Sequence, residues 1–166
     1  MRVAVLTVSD SVAAGRRADR SGEAIVEWAR LRGMEVTARE VVPDESDLIA
    51  RALARLADED RADLILSTGG TGLAPRDVTP EATLAVIERE APGIAEAIRA
   101  AYRESVPRSM LSRGVAGVRG SALIVNLPGS PKAVSEALAV LEPVVEHAVE
   151  LLKGAVRDHD SGVGVE

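Results

Sequence analysis

The chain has 166 residues, 46% of them hydrophobic, a formal net charge of -6 and no cysteine. That length is most simply one domain, able to bury about 70% of its unfolded surface, so disorder throughout is excluded, as are disulfides, thiolate metal sites and cysteine nucleophiles. One Trp, one Tyr and no Phe leave no aromatic platforms for stacked bases, and with the acidic balance they argue against nucleic acid as a partner.

Met1 leads directly into Arg2–Val8, a Val-rich run with the pattern of a strand buried on both faces. There is no signal-peptide architecture at this start, and no apolar run reaches the ~18 residues of a membrane span. A cytoplasmic protein without membrane attachment is therefore expected. A polar loop, Ser9–Arg20, comes next. Ser21 is expected to cap a helix over Gly22–Arg32 that places Ile25, Trp28 and Ala29 on one face and ends at Gly33. Met34–Val42 reads as a second strand closed by Pro43.

Acidic residues at 44, 45 and 47 then precede a helix with Leu48, Ile49, Ala52, Leu53 and Leu56 at amphipathic spacing. Leu64–Thr68 is the third strand. After the stretch 67–81, a helix is expected over Pro80–Glu90, a break at Ala91-Pro92-Gly93 and another helix over Ile94–Glu104. Residues 107–118 read as irregular. Ser121–Leu127 is a buried strand, and Pro131 opens a long apolar helix to Leu152, bent at Pro143. Residues 1–153 make one domain on this reading, and 154–166 a loosely held tail.

Strands alternate with helices at the spacing of crossover units, which predicts an α/β fold with a mostly parallel sheet covered on both faces. Ligands of such sheets sit beyond the carboxyl ends of the strands. Three loops reach that position: Ser9–Arg20, Ser67–Asp77 and Pro128–Lys132. The second contains Gly69-Gly70-Thr71-Gly72, a turn that can bring backbone N–H groups against a phosphate. No Gly-Lys-Ser/Thr closes it, and Pro75 stands where a dinucleotide fingerprint needs glycine. A plain connecting turn would explain the glycines, but not Pro75-Arg76-Asp77 behind them.

Asp77 has the hard oxygens Mg²⁺ prefers, and equally reads as a loop carboxylate bonded to nearby N–H groups or Arg76. Asp44 reads first as a helix N-cap, and so does Thr79. Pro128-Gly129-Ser130-Pro131-Lys132 reads as a second anion cradle at a helix start, with one of only two lysines in the chain; a Ser N-cap followed by Pro at the first helical position would explain Ser130 and Pro131, but not Lys132. Ser112-Arg113-Gly114 adds positive charge. His147 and His159 stand apart, so a Ser-His-Asp triad is not expected.

These segments, in this order, resemble the MogA/MoaB family of molybdenum-cofactor biosynthesis proteins over roughly Val3 to Leu152. The motifs are Leu6-Thr7-Val8-Ser9-Asp10, Asp19-Arg20-Ser21-Gly22, Val42-Pro43-Asp44, Thr68 to Gly72, Pro75 to Ala82, Ser112 to Gly120 and Leu127 to Val134. The resemblance implies a three-layer αβα sandwich of the molybdopterin-binding fold, assembled as a trimer or hexamer, with a molybdenum-insertion protein as a further partner. It implies transfer of AMP from ATP to molybdopterin with Mg²⁺ and release of pyrophosphate. Carried over by position, Asp44 and Asp77 would be catalytic and would hold the metal. Ser9, Asp10, Gly69, Gly70, Thr71, Gly72, Ser112, Pro128, Gly129, Ser130 and Lys132 would bind substrate or nucleotide. Some MoaB-type members lack the Pro-Arg-Asp-Val-Thr-Pro segment and do not adenylylate. This chain has it whole, which favours catalysis over a binding-only carrier or scaffold.

Overall fold

A computed structural model describes residues 1–59 and 62–154. The tail expected over 154–166 falls, from residue 155 onward, outside the described residues. Six strands, β1 (Arg2–Val8), β2 (Glu35–Val42), β3 (Leu64–Thr68), β4 (Arg89–Glu90), β5 (Ala116–Arg119) and β6 (Ala122–Leu127), form one sheet in the order β2-β1-β3-β6-β5-β4. The first four in that order run parallel; β5 is antiparallel to β6, and β4 to β5.

Alternation along each buried strand sends its side chains into two cores. Val3, Val5, Leu64, Leu66, Leu123 and Val125 meet α2 (Arg20–Leu31), α5 (Pro92–Ala101) and α6 (Pro131–Leu152). Ala4, Leu6, Val8, Ile65 and Ile124 meet α3 (Ser46–Asp58) and α4 (Thr79–Leu84) on the other face. The result is the expected three-layer αβα sandwich. On the outer strand β2 the register slips by one residue between the partners of Val3 and Ala4. The slip lets Val36 join the first core and Ala38 the second, although both stand at even positions.

Several local expectations give way to tertiary pairing. Asp19, not Ser21, caps α2, its carboxylate accepting from Gly22 N–H at 2.9 Å. The short helix α1 (Asp10–Ala13), capped by Ser9, interrupts the first loop. The helix expected over Pro80–Glu90 stops at Leu84, because Glu88 and Ala91 N–H groups pair with Val118 and Ala116 carbonyls and draw Arg89–Glu90 into the sheet. The edge of β5 thereby gains a partner. The stretch expected to be irregular contains a 3₁₀ turn, Pro107–Leu111, and β5 itself. Pro92 starts α5, its missing N–H costing nothing at the first position. Helix α6 runs unbroken through Pro143. Among the described residues, no helix is long and apolar enough to cross a membrane.

Candidate active site

The parallel strands β1, β3 and β6 deliver their carboxyl ends side by side, and the site is assembled from the loop after each. Beyond β3 the chain turns at Gly69 (φ +97) and Gly70 (φ +66), a conformation other residues adopt only with strain. A Cβ on Gly69 would stand 2.2 Å from the Val8 carbonyl oxygen, and one on Gly70 2.3 Å from the Thr79 hydroxyl. Both glycines are thus wedged between the end of β1 and the start of α4. Thr79 fixes the turn from that side, its hydroxyl donating to Gly69 O at 2.9 Å and its N–H to Gly70 O at 3.1 Å. It does not act as the expected N-cap, a position held by Val78 without a side-chain bond.

Asn126, the only asparagine, supports the turn from beneath. Its amide donates to the Ser67 and Thr83 hydroxyls, both at 2.9 Å, and its oxygen accepts Val115 N–H at 3.1 Å. The Thr83 hydroxyl in turn donates to Thr79 O at 2.8 Å. Among the described residues, every buried polar side-chain atom is paired, which makes this platform rigid.

Asp10, after β1, and Asp44, after β2, hold each other. Asp10 N–H donates to Asp44 Oδ2 at 2.8 Å, and Asp44 N–H donates to Asp10 Oδ1 at 3.0 Å. Asp44 therefore caps the neighbouring loop and not α3, whose N-cap is Glu45 with no side-chain bond. Burial, together with the Asp10 and Asp77 carboxylates, pushes the Asp44 carboxyl above its ordinary range, against the pull of the Asp10 N–H. Arg76 bonds Asp10 through Nε and Nη2 at 2.6 and 3.0 Å and holds that carboxyl low. Asp77 closes a tight turn, accepting Ala74 N–H on Oδ2 at 2.9 Å while its own N–H donates to Ala74 O at 2.9 Å.

Two clefts meet here. The larger, about 510 Å³, is lined by Gly70, Thr71, Gly72, Asp77, Ser112, Pro128, Gly129 and Ser130. The smaller, about 230 Å³, is lined by Ser9, Asp44, Gly69, Gly70, Asp77 and Gly129. Gly70, Asp77 and Gly129 belong to both. Among the described residues, the N–H groups of Gly70, Thr71, Gly72, Gly129 and Ser130 donate to no protein acceptor. This is a set of donors suited to phosphate oxygens.

Two residues expected in the site line neither cleft. Lys132 is 83% exposed and stands 3.9 Å from Glu136. Asp10 turns its carboxylate to Arg76 and the Asp44 N–H. Arg17, Arg20 and Ser21 in the smaller cleft, and Arg99, Tyr102 and Arg108 in the larger, were not anticipated. The first three lie in or just after the loop that leaves β1, so their position in the chain was a usable signal. The others come from α5 and the residues after it, which only packing brings across to the glycine turn.

Asp44 and Asp77 each accept a backbone N–H on one carboxylate oxygen, and both residues line the smaller cleft. Among the described residues, no group of three or more His, Cys, Asp or Glu could hold a metal alone. This donor set suits Mg²⁺, which takes one or two carboxylates and completes its shell with substrate phosphates and water.

Residues 4–147 match the model of a probable molybdopterin binding domain. The molybdopterin adenylyltransferase of Helicobacter pylori is 41% identical over 157 residues, 93% of this chain and 89% of that protein. The molybdopterin adenylyltransferase of Escherichia coli is 43% identical over 141 residues, 83% of this chain and 72% of that protein. Among solved structures, the molybdopterin biosynthesis enzyme MoaB from Thermus thermophilus superposes with a TM-score of 0.87 at 51% identity, covering 92% of this chain and 96% of that one. The Mog protein of Mycobacterium ulcerans gives a TM-score of 0.85 at 45% identity, over 90% and 97% of the two chains.

Proposed function

The chain belongs to the molybdopterin-binding domain family, and from that membership we propose that it transfers AMP from ATP to molybdopterin in molybdenum-cofactor biosynthesis. The observation that carries this reading is the meeting of two clefts at Gly70, Asp77 and Gly129, since a group transfer needs two substrates joined at one point. A phosphate oxygen of molybdopterin attacks the α-phosphorus of ATP. The bond to the β-phosphate oxygen breaks, and pyrophosphate leaves.

Both substrates are anionic, and a transfer of this kind asks for positioning and charge neutralisation, with no protein nucleophile. The N–H groups of Gly70, Thr71, Gly72, Gly129 and Ser130 supply fixed donors, and Arg17 and Arg20 supply positive charge at the smaller cleft. Asp77 and Asp44 would hold Mg²⁺, which would neutralise phosphate charge there. Asn126 and Thr79 hold the donor turn in place before substrate arrives.

Assembly into a trimer or hexamer accompanies this reading. Helices α5 and α6 enclose an apolar groove of about 450 Å³ edged by Val144 and Leu151, each 48% exposed. Cytoplasmic location, and delivery of the product to a molybdenum-insertion protein, belong to the same proposal.

Incubation with molybdopterin and MgATP, read by pyrophosphate release and by mass of the pterin product, tests it. Stoichiometric pyrophosphate and adenylylated molybdopterin are expected, both lost in Asp77→Asn with the melting temperature retained. Tight molybdopterin binding without pyrophosphate would make the protein a binding-only carrier.

A further inference from the structure

We propose that Arg113 is the positioning residue that holds Asp77 at the junction of the two clefts. The proposal rests on the adenylyl-transfer reading of the site. Residues 73–76 lead into Asp77 fully on the surface, with Leu73 65% exposed. Apolar packing therefore does not fix this loop, and its shape is set by polar bonds. Arg76 ties its crest to Asp10. Its two ends are tied by one side chain from a different part of the chain.

Arg113 reaches both ends at once. Its Nε donates to Gly72 O at 2.7 Å and its Nη2 donates to Asp77 O. Its backbone N–H donates to Thr71 O at 2.8 Å, and Nη1 is anchored on the Glu81 carboxylate in the first turn of α4. A planar guanidinium can span two carbonyls in a fixed geometry, which an ammonium cannot. The distance between Gly72 and Asp77 across the loop mouth is set by this fork.

The local backbone explains why Arg113 works from behind. Ser112 is extended (φ -69, ψ 127), so consecutive side chains point to opposite sides. Ser112 lines the larger cleft, whereas Arg113 lines neither. Arg99 braces the segment, its Nη1 donating to Gly114 O at 2.7 Å. The positive charge of Ser112-Arg113-Gly114 is thus turned onto the loop carbonyls and Glu81 and is not offered to substrate. The ion pair makes Arg113 and Glu81 a unit, and the Glu81 carboxyl is held low chiefly by the Arg113 hydrogen bond.

Steady-state pyrophosphate release by Arg113→Ala and Arg113→Lys, with MgATP and molybdopterin varied in turn, tests this. A residue that positions Asp77 without touching substrate lowers kcat by about 10–100-fold with KM for ATP within about threefold, since misplacement by about 1 Å costs that much. Guanidinium chloride at low millimolar concentration should restore part of kcat in Arg113→Ala and none in Asp77→Asn, while methylammonium restores neither. Arg113→Lys, which can meet only one carbonyl, should fall between alanine and wild type.

A kcat within twofold of wild type in the lysine variant overturns the assignment, as does a deficit confined to KM. If Arg113→Ala does not fold, the lysine variant decides on those two criteria alone. An active Asp77→Asn would instead overturn the adenylyl-transfer site, so the two failures are distinguishable.

Discussion

Asp10 and Asp44 cap each other: each carboxylate accepts the other's backbone N–H, at 2.8 and 3.0 Å. The pair ties the loop after β1 to the loop after β2, and only Asp44 is left facing a cleft. Asp10 therefore acts on the site through Asp44 and, by its bond to Arg76, on the crest of the loop that carries Asp77. Asp10→Asn keeps an acceptor for the Asp44 N–H and loses only an exposed ion pair with Arg76, a contact of little intrinsic worth. Its kcat should stay within about threefold of wild type, whereas Asp10→Ala should lose about tenfold. Parallel kinetics on the two variants check this; equal losses would mean that the ion pair, not the cap, matters.

Asp44→Asn should separate activity from stability. A carboxylate pushed above its ordinary range by burial and by two neighbouring carboxylates opposes folding when ionised. Asparagine keeps an oxygen for Asp10 N–H and removes the charge. The melting temperature at pH 7 should rise by about 1–3 °C while AMP transfer falls about 100-fold or more. Scanning calorimetry beside the pyrophosphate assay reads both, and a lower melting temperature would contradict the argument.

Gly70→Ala should damage fold and site together. At φ +66 a Cβ is strained, and this one would meet the Thr79 hydroxyl at 2.3 Å and Asp44 Oδ1 at 3.2 Å. A cost of about 2 kcal/mol or more is expected, lowering the melting temperature by about 4–8 °C. Because the new atom lies between Thr79 and Asp44, the folded variant should also bind MgATP more weakly, which calorimetric titration would show.

The opposite end of the sheet predicts an acid-sensitive tie. Burial of Asp63 favours its neutral form, but Arg2 N–H at 2.7 Å, Lys153 Nζ at 2.9 Å and the Arg2 guanidinium at 3.1 Å outweigh it and hold the carboxyl low. A lowered folded value means that the stabilisation is complete above the unfolded value near pH ~3.9 and is lost as pH falls through the folded one. Asp63→Asn should cost about 2 kcal/mol at pH 7. The gap in melting temperature from wild type should be constant between about pH 5 and 8 and close below about pH 4. A gap that persists at low pH would assign the effect to packing.

Asn126→Leu should be among the costliest substitutions in the chain. It leaves the Val115 N–H unpaired and deprives the Ser67 and Thr83 hydroxyls of their donor, at about 2–4 kcal/mol. Chemical denaturation measures this directly, and a loss below about 1 kcal/mol would show that the network is dispensable.

Local pattern in the chain was enough to establish the layer architecture and to name many of the residues that line the two clefts. Buried strands announce themselves as short apolar runs, the amphipathic helices by their spacing, and a glycine turn after a strand by its lack of side chains; all of these are local properties. Residues 69–72, 112 and 128–130 are thus legible as loop positions from the sequence, as are Asp44 and Asp77, and the fold brings all of them to the two clefts. What each polar group does there emerges only in the folded chain, because a hydrogen-bond partner is chosen among groups far apart in sequence. Asp44 took the Asp10 N–H in place of its own helix, Thr79 took the glycine turn, and Arg89–Glu90 left a helix for the open edge of β5. Lys132, conspicuous in the sequence, is turned out to solvent, and Arg113, one arginine among many, is turned onto the loop that carries Asp77. Spacing limits which residues can reach a site; the geometry of competing donors and acceptors selects which of them are presented to it.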